Sequence, residues 1–262
     1  MFDDLYQPLP DFQRYLNRIG FADDISSNYE TLDALVNAHL RSVPFENLDI
    51  FDYHREISLG IPDLFNKIVI NKRGGYCFEL NGLFMSLLQA LGFQCHAIAA
   101  RVLWNKDYFP PLSHRATIIT LENRLCFCDV GFGGPCPGLI YLNEPGIQII
   151  NGLPYLFERG EHTTTLFTYI NDKKVPLLMF SELPCDPVDF ITLNEYFSKN
   201  SNSYFRSKRI VNLRTEDGSK SIDGNIFTDR RGEYCEKSIL NTDDNIANAL
   251  DKHFGIYIDI RL

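Results

Sequence analysis

The stretch Arg73-Gly74-Gly75-Tyr76-Cys77-Phe78-Glu79-Leu80-Asn81-Gly82 sets a single cysteine after a glycine turn and ahead of an apolar run. If that run is helical, Cys77 sits in its first turn, where unpaired N–H groups and the positive end of the helix dipole favour a thiolate. A thiolate nucleophile needs a base to generate it and a third group to orient that base. Ser113-His114-Arg115 opens an extended segment after Phe109-Pro110-Pro111-Leu112, which leaves His114 at the edge of a cleft. Asp129 closes another, between Leu125-Cys126-Phe127-Cys128 and Val130-Gly131-Phe132-Gly133-Gly134-Pro135, where a carboxylate is out of place after four mostly apolar residues. Cys77, His114 and Asp129 are the candidate nucleophile, base and orienting group, although one histidine of six near a strand end carries little weight alone.

The elements that must position these three change character along the chain. Up to Gly92 the pattern is helical: Asp11–Ile19 stopped by Gly20, Thr31–Leu40, Ile61–Val69 with a proline in its first turn, and Cys77–Leu91 with Leu80, Leu83, Phe84, Leu87, Leu88 and Leu91 as its buried stripe. His39, on the second of these, reads as a helix-surface or satisfied core histidine. From Phe93 the segments are short and uncapped: Phe93–Trp104, His114–Leu121 and Leu125–Val130, then stretches near Gln148–Ile150, Tyr155–Glu158, Thr164–Ile170 and Leu177–Phe180. This is a β-rich middle. A connecting helix over Asp189–Tyr196 follows, then Lys208–Leu213 and Ile222–Phe227 read as a hairpin about Glu216-Asp217-Gly218. Glu233–Ile239 adds a strand, and Thr242 caps a last helix through Phe254. The expected division is 1–92, 93–190 and 191–262, packed into one body without repeats or low-complexity linkers.

Composition narrows the function. With 262 residues, 45% of them hydrophobic, the chain can bury a large core, and a formal charge of -9 argues against nucleic acid or anionic membranes as partners. Met1-Phe2-Asp3-Asp4-Leu5 is not a basic-then-apolar leader, and no segment approaches the ~18 apolar residues of a membrane helix, so the expectation is a soluble cytoplasmic protein. Seven cysteines, an odd number, suit a reducing compartment. Cys126-Phe127-Cys128 would point two thiols the same way from a strand, but no CxxC or histidine pair completes a metal set. They are read as packing, as are Cys95, Cys136, Cys185 and Cys235, and no metal is expected.

Val43-Pro44-Phe45-Glu46-Asn47-Leu48, the Arg73–Asn81 block, Ser113-His114 and Asp129-Val130-Gly131-Phe132-Gly133 together resemble the arylamine N-acetyltransferases in order and spacing. The likeness is close over the first half and loose over the last eighty residues or so. It implies an α+β fold of three parts: an N-terminal helical bundle carrying the cysteine, a central antiparallel β-barrel carrying histidine and aspartate, and a C-terminal α/β lid, around a cysteine-protease-like catalytic core. The resemblance puts Cys77, His114 and Asp129 on the family's triad. It also implies acetyl-CoA as acyl donor and a small arylamine, arylhydrazine or N-hydroxyarylamine as acceptor, through a ping-pong acetyl-Cys77 intermediate.

Other roles follow on the same basis. Glu46 and Arg73 match a structural ion pair that holds the catalytic loop. Glu79 and Asn81 are read as capping or positioning. An acetyl-cysteine must be kept from water, so Phe45, Tyr76, Phe109 and Phe132 are candidates for an apolar lining, with Phe132 first for the arylamine wall. Gly131, Gly133 and Gly134 read either as a plain turn or as N–H donors to the CoA pyrophosphate; the resemblance, in which this loop lines the CoA site, favours the latter. Arg206, Lys208, Arg209 and Lys220 read as a solvated basic face rather than phosphate ligands. Transglutaminase-like amidases, hydrolases and amide synthases use the same triad logic and stay open as the alternative. The physiological amine and the oligomeric state are unassigned.

Overall fold

The computed structural model describes residues 2–257. The first helix, α1 (Phe12–Ile19), starts where the Asp11 carboxylate accepts the Arg14 N–H at 3.0 Å and ends at Gly20, which takes the left-handed conformation at φ 71°. Helix α2 (Tyr29–Ser42) is capped by Asn28 in the same way and runs two residues beyond the expected span at each end. A single turn, α3 (Leu48–Phe51), follows the two-residue strand β1 (Phe45–Glu46). The helix expected over Ile61–Val69 is interrupted. It is α-helical only as α4 (Ile61–Phe65) and then widens into a π turn over Asn66–Ile70, closed by the Asn71 N–H on the Asn66 carbonyl.

Helix α5 (Cys77–Ala90) is buried from Cys77 through Leu88, not on one stripe alone. The leucines face the helical bundle, while small and amide residues on the other side let the barrel pack close: Gly82 lies against the Arg115 guanidinium and Asn81 donates to the Arg115 carbonyl. The helix is thus held between two layers.

Eight antiparallel strands form the second layer: β2 (Gln94–Val102), β3 (His114–Leu121), β4 (Arg124–Cys128), β5 (Leu139–Tyr141), β6 (Gln148–Ile150), β7 (Leu153–Arg159), β8 (Thr164–Ile170) and β9 (Lys173–Phe180), in the order β5-β4-β3-β2-β9-β8-β7-β6. The barrel is nearly closed. Its two ends are stitched by the Gln148 side chain, which accepts from the Tyr141 N–H at 3.2 Å and donates to the Tyr141 carbonyl at 2.7 Å. Strand alternation separates two cores, with Ile118 and Phe127 inside the barrel and Ile119, Cys126 and Cys128 against the helices.

The third part departs from the expected boundaries. Helices α6 (Phe190–Lys199) and α7 (Tyr204–Ser207) pack through Phe190, Phe197 and Phe205 on the helical-bundle core. The five-stranded sheet β1-β10-β11-β12-β13 draws β1 from the first ninety residues, pairing Phe45 with Asn212. Its other strands are β10 (Ile210–Arg214), β11 (Gly218–Asp223), β12 (Ile226–Arg231) and β13 (Tyr234–Ile239). The hairpin expected between Lys208–Leu213 and Ile222–Phe227 is out of place, because Gly224 at φ 65° makes a turn inside the supposed second strand and splits it between β11 and β12. Helix α8 (Asp243–Phe254), capped by Thr242, covers this sheet with Ile246, Leu250 and Phe254. Among the described residues no helix is long and apolar enough to cross a membrane.

Candidate active site

Three elements deliver the candidate side chains to one seam. Cys77 is the first residue of α5, His114 the first of β3, and Asp129 follows directly on β4; all three are buried. The His114 Nε2 lies 2.6 Å from Asp129 Oδ2, which leaves Nδ1 as the nitrogen for Cys77, whose thiol interacts with the imidazole and also lies 3.8 Å from the Ser113 carbonyl oxygen. Burial works against an imidazolium here. The Asp129 charge and hydrogen bond, with the Cys77 contact, overcome it and push His114 up to about 10, so the ring holds its proton at neutral pH.

Asp129 is itself held. Its Oδ1 accepts from Asn81 Nδ2 and from the Gly131 N–H, each at 2.9 Å. Asn81, one helical turn after Cys77, also accepts the Val130 N–H at 2.9 Å, so one amide ties the thiol's helix to the carboxylate's loop. Gly131 packs so closely that a Cβ would sit 2.8 Å from Asn81 Nδ2 and 2.9 Å from Cys77 Cα. That corrects the reading of Gly131 as a phosphate donor: its N–H is spent on Asp129.

Behind the seam lies a chain of buried charges. Arg73 Nη2 is 2.7 Å from Glu46 Oε1 and 3.3 Å from Asp49 Oδ1; Lys67 Nζ is 2.7 Å from both Asp49 Oδ2 and Glu79 Oε1. Glu79 accepts the Tyr76 N–H at 3.0 Å, the reach-back half of a capping box, so the network ends on the backbone just before Cys77. Gly74 permits the approach, since a Cβ there would lie 1.9 Å from the Pro44 carbonyl oxygen. Burial opposes the Lys67 charge, yet Glu79, Glu46 and Asp49 outweigh it and hold the ammonium well above its ordinary range. Sequence reasoning missed Asp49 and Lys67. Asp49, three residues after Glu46, had a spacing signal; Lys67 had none.

A cavity of about 350 Å³ opens on Cys77 and His114. Phe45 and Phe132 line it, with Phe132 edge-on to the His114 ring at 5.6 Å between centroids, and so do Gly131, Gly133 and Gly134. Two expected wall residues do not. Tyr76 is fully buried, its hydroxyl bonded to Asn194 and its ring against Phe78 and Phe205, which makes it a core anchor. Phe109 is 69% exposed and lies under the Arg101 guanidinium at 4.7 Å, outside the cleft. Trp104, Lys106, Phe197, Tyr204 and Phe205 line it instead, brought from loops and from α6 and α7 by folding that no local pattern announces.

The remaining candidates lie elsewhere. Arg209 is buried with Asp52, its Nε 3.1 Å from Oδ2, and Lys208 pairs with Asp223 at 2.5 Å. His39 bonds the Tyr15 hydroxyl at 3.1 Å, and burial followed by the Arg18 charge pushes it down to about 3, a neutral core histidine. A wider recess of about 680 Å³ is lined by Asp49, Lys67, Arg73 and Tyr257, and neither Cys77 nor His114 borders it.

Comparison with known proteins adds independent findings. The family model described as N-acetyltransferase matches residues 28–262. The arylamine N-acetyltransferase of Mycolicibacterium smegmatis is 31% identical over 252 residues, covering 94% of this chain and 92% of that protein. Among solved structures, the arylamine N-acetyltransferase from Salmonella typhimurium superposes with a TM-score of 0.90 at 26% identity, over 97% of this chain and 94% of that one. The Mycobacterium marinum enzyme in complex with CoA superposes with a TM-score of 0.85 at 28% identity, over 94% and 93%.

Proposed function

This chain belongs to the arylamine N-acetyltransferase family, and from that premise we propose that it carries an acetyl group from acetyl-CoA to the nitrogen of an arylamine or arylhydrazine through an acetyl-Cys77 intermediate. The observation that carries the reading is the buried Cys77, His114 and Asp129 meeting at the wall of an aromatic cavity.

In the first half-reaction the Cys77 sulfur attacks the thioester carbonyl, and the tetrahedral oxyanion forms beside the first turn of α5, where the Cys77 N–H has no intrahelical acceptor. The C–S bond to CoA breaks, and the His114 imidazolium gives its proton to the departing thiolate. In the second, the amine nitrogen attacks the acetyl-Cys carbonyl, neutral His114 takes the nitrogen's proton, and the Cys77 thiolate leaves. Asp129 keeps Nε2 protonated throughout, so Nδ1 faces the reaction. Phe45 and Phe132 supply apolar surface against which an aryl ring stacks and from which water is excluded. CoA is a substrate here, and Gly133 and Gly134, which line the cavity beside Phe132, are the loop residues we assign to it. Unlike a hydrolase, such a site needs an amine rather than water as acceptor.

Steady-state kinetics test the reading. With acetyl-CoA and 4-methoxyaniline varied together, release of free CoA should give parallel double-reciprocal lines for wild type and none for Cys77→Ala. Intersecting lines would exclude the covalent route, and equal turnover without amine would make the protein a thioesterase.

A further inference from the structure

Among the described residues, the cations drawn out of water are each met by oxygen, with one exception. Lys67 and Arg73 sit among Glu46, Asp49 and Glu79, Arg209 pairs with Asp52, and Arg18 donates to the carbonyls of Ile68, Ser42 and Lys72. Arg115, only 4% exposed, has no such partner: its Nε makes no hydrogen bond, Nη2 meets the Met85 sulfur at 4.0 Å, and the guanidinium lies 4.7 Å from the centre of the Phe190 ring. A buried charge without a counter-charge is costly, so its retention asks for a reason. Substrate does not supply one, because Arg115 lines neither recess.

Arg115 follows His114 on β3, and strand alternation turns it to the opposite face, toward α5, where Ile119 also packs. Its carbonyl accepts the Asn81 amide at 2.5 Å, and its Nη1 approaches the helix so closely that a Cβ on Gly82 would stand 2.9 Å away. Gly82 is five residues beyond Cys77, about 7–8 Å along the helix axis. The ionisable groups that act on the guanidinium are thiols: Cys185 on the segment that bridges to Ala97, Cys77 on α5 and Cys95 on β2. Burial pushes Arg115 down to about 10, against those thiols, so it stays charged at neutral pH. Cys77 itself faces His114 from β3 and, from its own turn, Tyr76, kept neutral by burial, and Glu79, whose charge is met by Lys67. A Cys77 thiolate, the His114 imidazolium and the Asp129 carboxylate together leave one negative charge out of water, and Arg115 balances it.

We propose that Arg115 is a positioning residue for the acetyl transfer, the counter-charge that holds Cys77 as a thiolate through the body of α5 without touching the reacting atoms. The inference rests on Cys77 as the nucleophile assigned above. The same field favours the thiolate before attack and its departure from the acetyl group in the second half-reaction. Gly82, having no side chain, is what lets the guanidinium lie against the helix.

The pH profile of Cys77 alkylation by iodoacetamide, followed by peptide mass spectrometry so that each of the seven cysteines is read separately, tests this. No acetyl-CoA is added, so an error in the acyl donor leaves the result intact. Arg115→Met should slow Cys77 labelling at pH 7 roughly tenfold and raise its midpoint by about one pH unit, as expected for deleting a unit charge at that range, while Arg115→Lys keeps the charge and should stay within about twofold of wild type. Arg115→Gln, a second neutral variant, should behave as Arg115→Met does, and far-ultraviolet circular dichroism identifies the variants that fold. A folded neutral variant with the wild-type midpoint at Cys77 would overturn the proposal. So would an equal slowing in Arg115→Lys at unchanged midpoint, the mark of a packing role, or a shift confined to Cys185. In the wild type alone, a Cys77 midpoint no lower than that of the exposed Cys235 would overturn it without any variant.

Discussion

Where α5 meets the barrel, the charges are out of water and each has several named partners: Asp129 is held by His114, Asn81 and Gly131, and Lys67 by Asp49 and Glu79. On the outer sheet exposed charges dominate, as with Asp223 at 61% side-chain exposure and Arg231 at 55%, although Asp229, the partner of Arg231, is itself covered. In the first region a charge sets reactivity and its loss strands a partner in low dielectric. In the second it is screened and governs only what the surface meets.

The sharpest way to break this contrast is Asp129→Asn. An asparagine that turns its oxygen to Asn81 and Gly131 must present its NH2 to His114 Nε2, which forces the proton onto Nδ1 and removes the base facing Cys77. Turnover should fall on the order of 10⁴-fold, measured with saturating acetyl-CoA and amine. Next is Lys67→Met, which leaves Glu79 buried without its cation and Asp49 with only the Arg73 and Arg55 guanidiniums, and should cost roughly 3–5 kcal/mol in urea unfolding. Gly131→Ala should keep the fold and lower kcat about 10²-fold, since its Cβ pushes the Asn81 amide and the Cys77 backbone out of register.

The pH dependence has a definite sign. His114 is raised to about 10 in the folded chain from 6.5 unfolded, so the stability it contributes is full below about pH 6.5 and is lost as pH rises through about 10. The difference in unfolding free energy between wild type and His114→Gln should therefore be widest near pH 6 and shrink toward pH 10. On the outer sheet, Asp223→Ala should change unfolding by well under about 1 kcal/mol. A large effect there, or a small one at Lys67, would erase the distinction between the regions.

Much of this was legible in the sequence because local rules govern it. Asp11 and Gly20 bracket α1, Thr242 caps α8, and the glycine turn before Cys77 announces the start of α5. Cys77, His114 and Asp129 each sit at an element boundary, but it is the family resemblance, more than any local rule, that joins them. The failures are of another sort. Tyr76 reads as a candidate for the apolar lining, but Asn194, 118 residues away, claims its hydroxyl. Lys67 and Trp104 gain their roles only through contacts distant in the chain, and nothing in their neighbours reports them. Gly224 was overlooked because a single left-handed glycine looks the same inside a strand as between two.

The account turns on Cys77 carrying the acetyl group. Intact-protein mass spectrometry after brief mixing with acetyl-CoA and no amine addresses this directly, with Cys77→Ala in parallel. Wild type should gain one acetyl group that disappears on adding an arylamine, and the variant should gain none. A wild type that stays unmodified while still acetylating the amine, or an adduct that persists in Cys77→Ala, would contradict it.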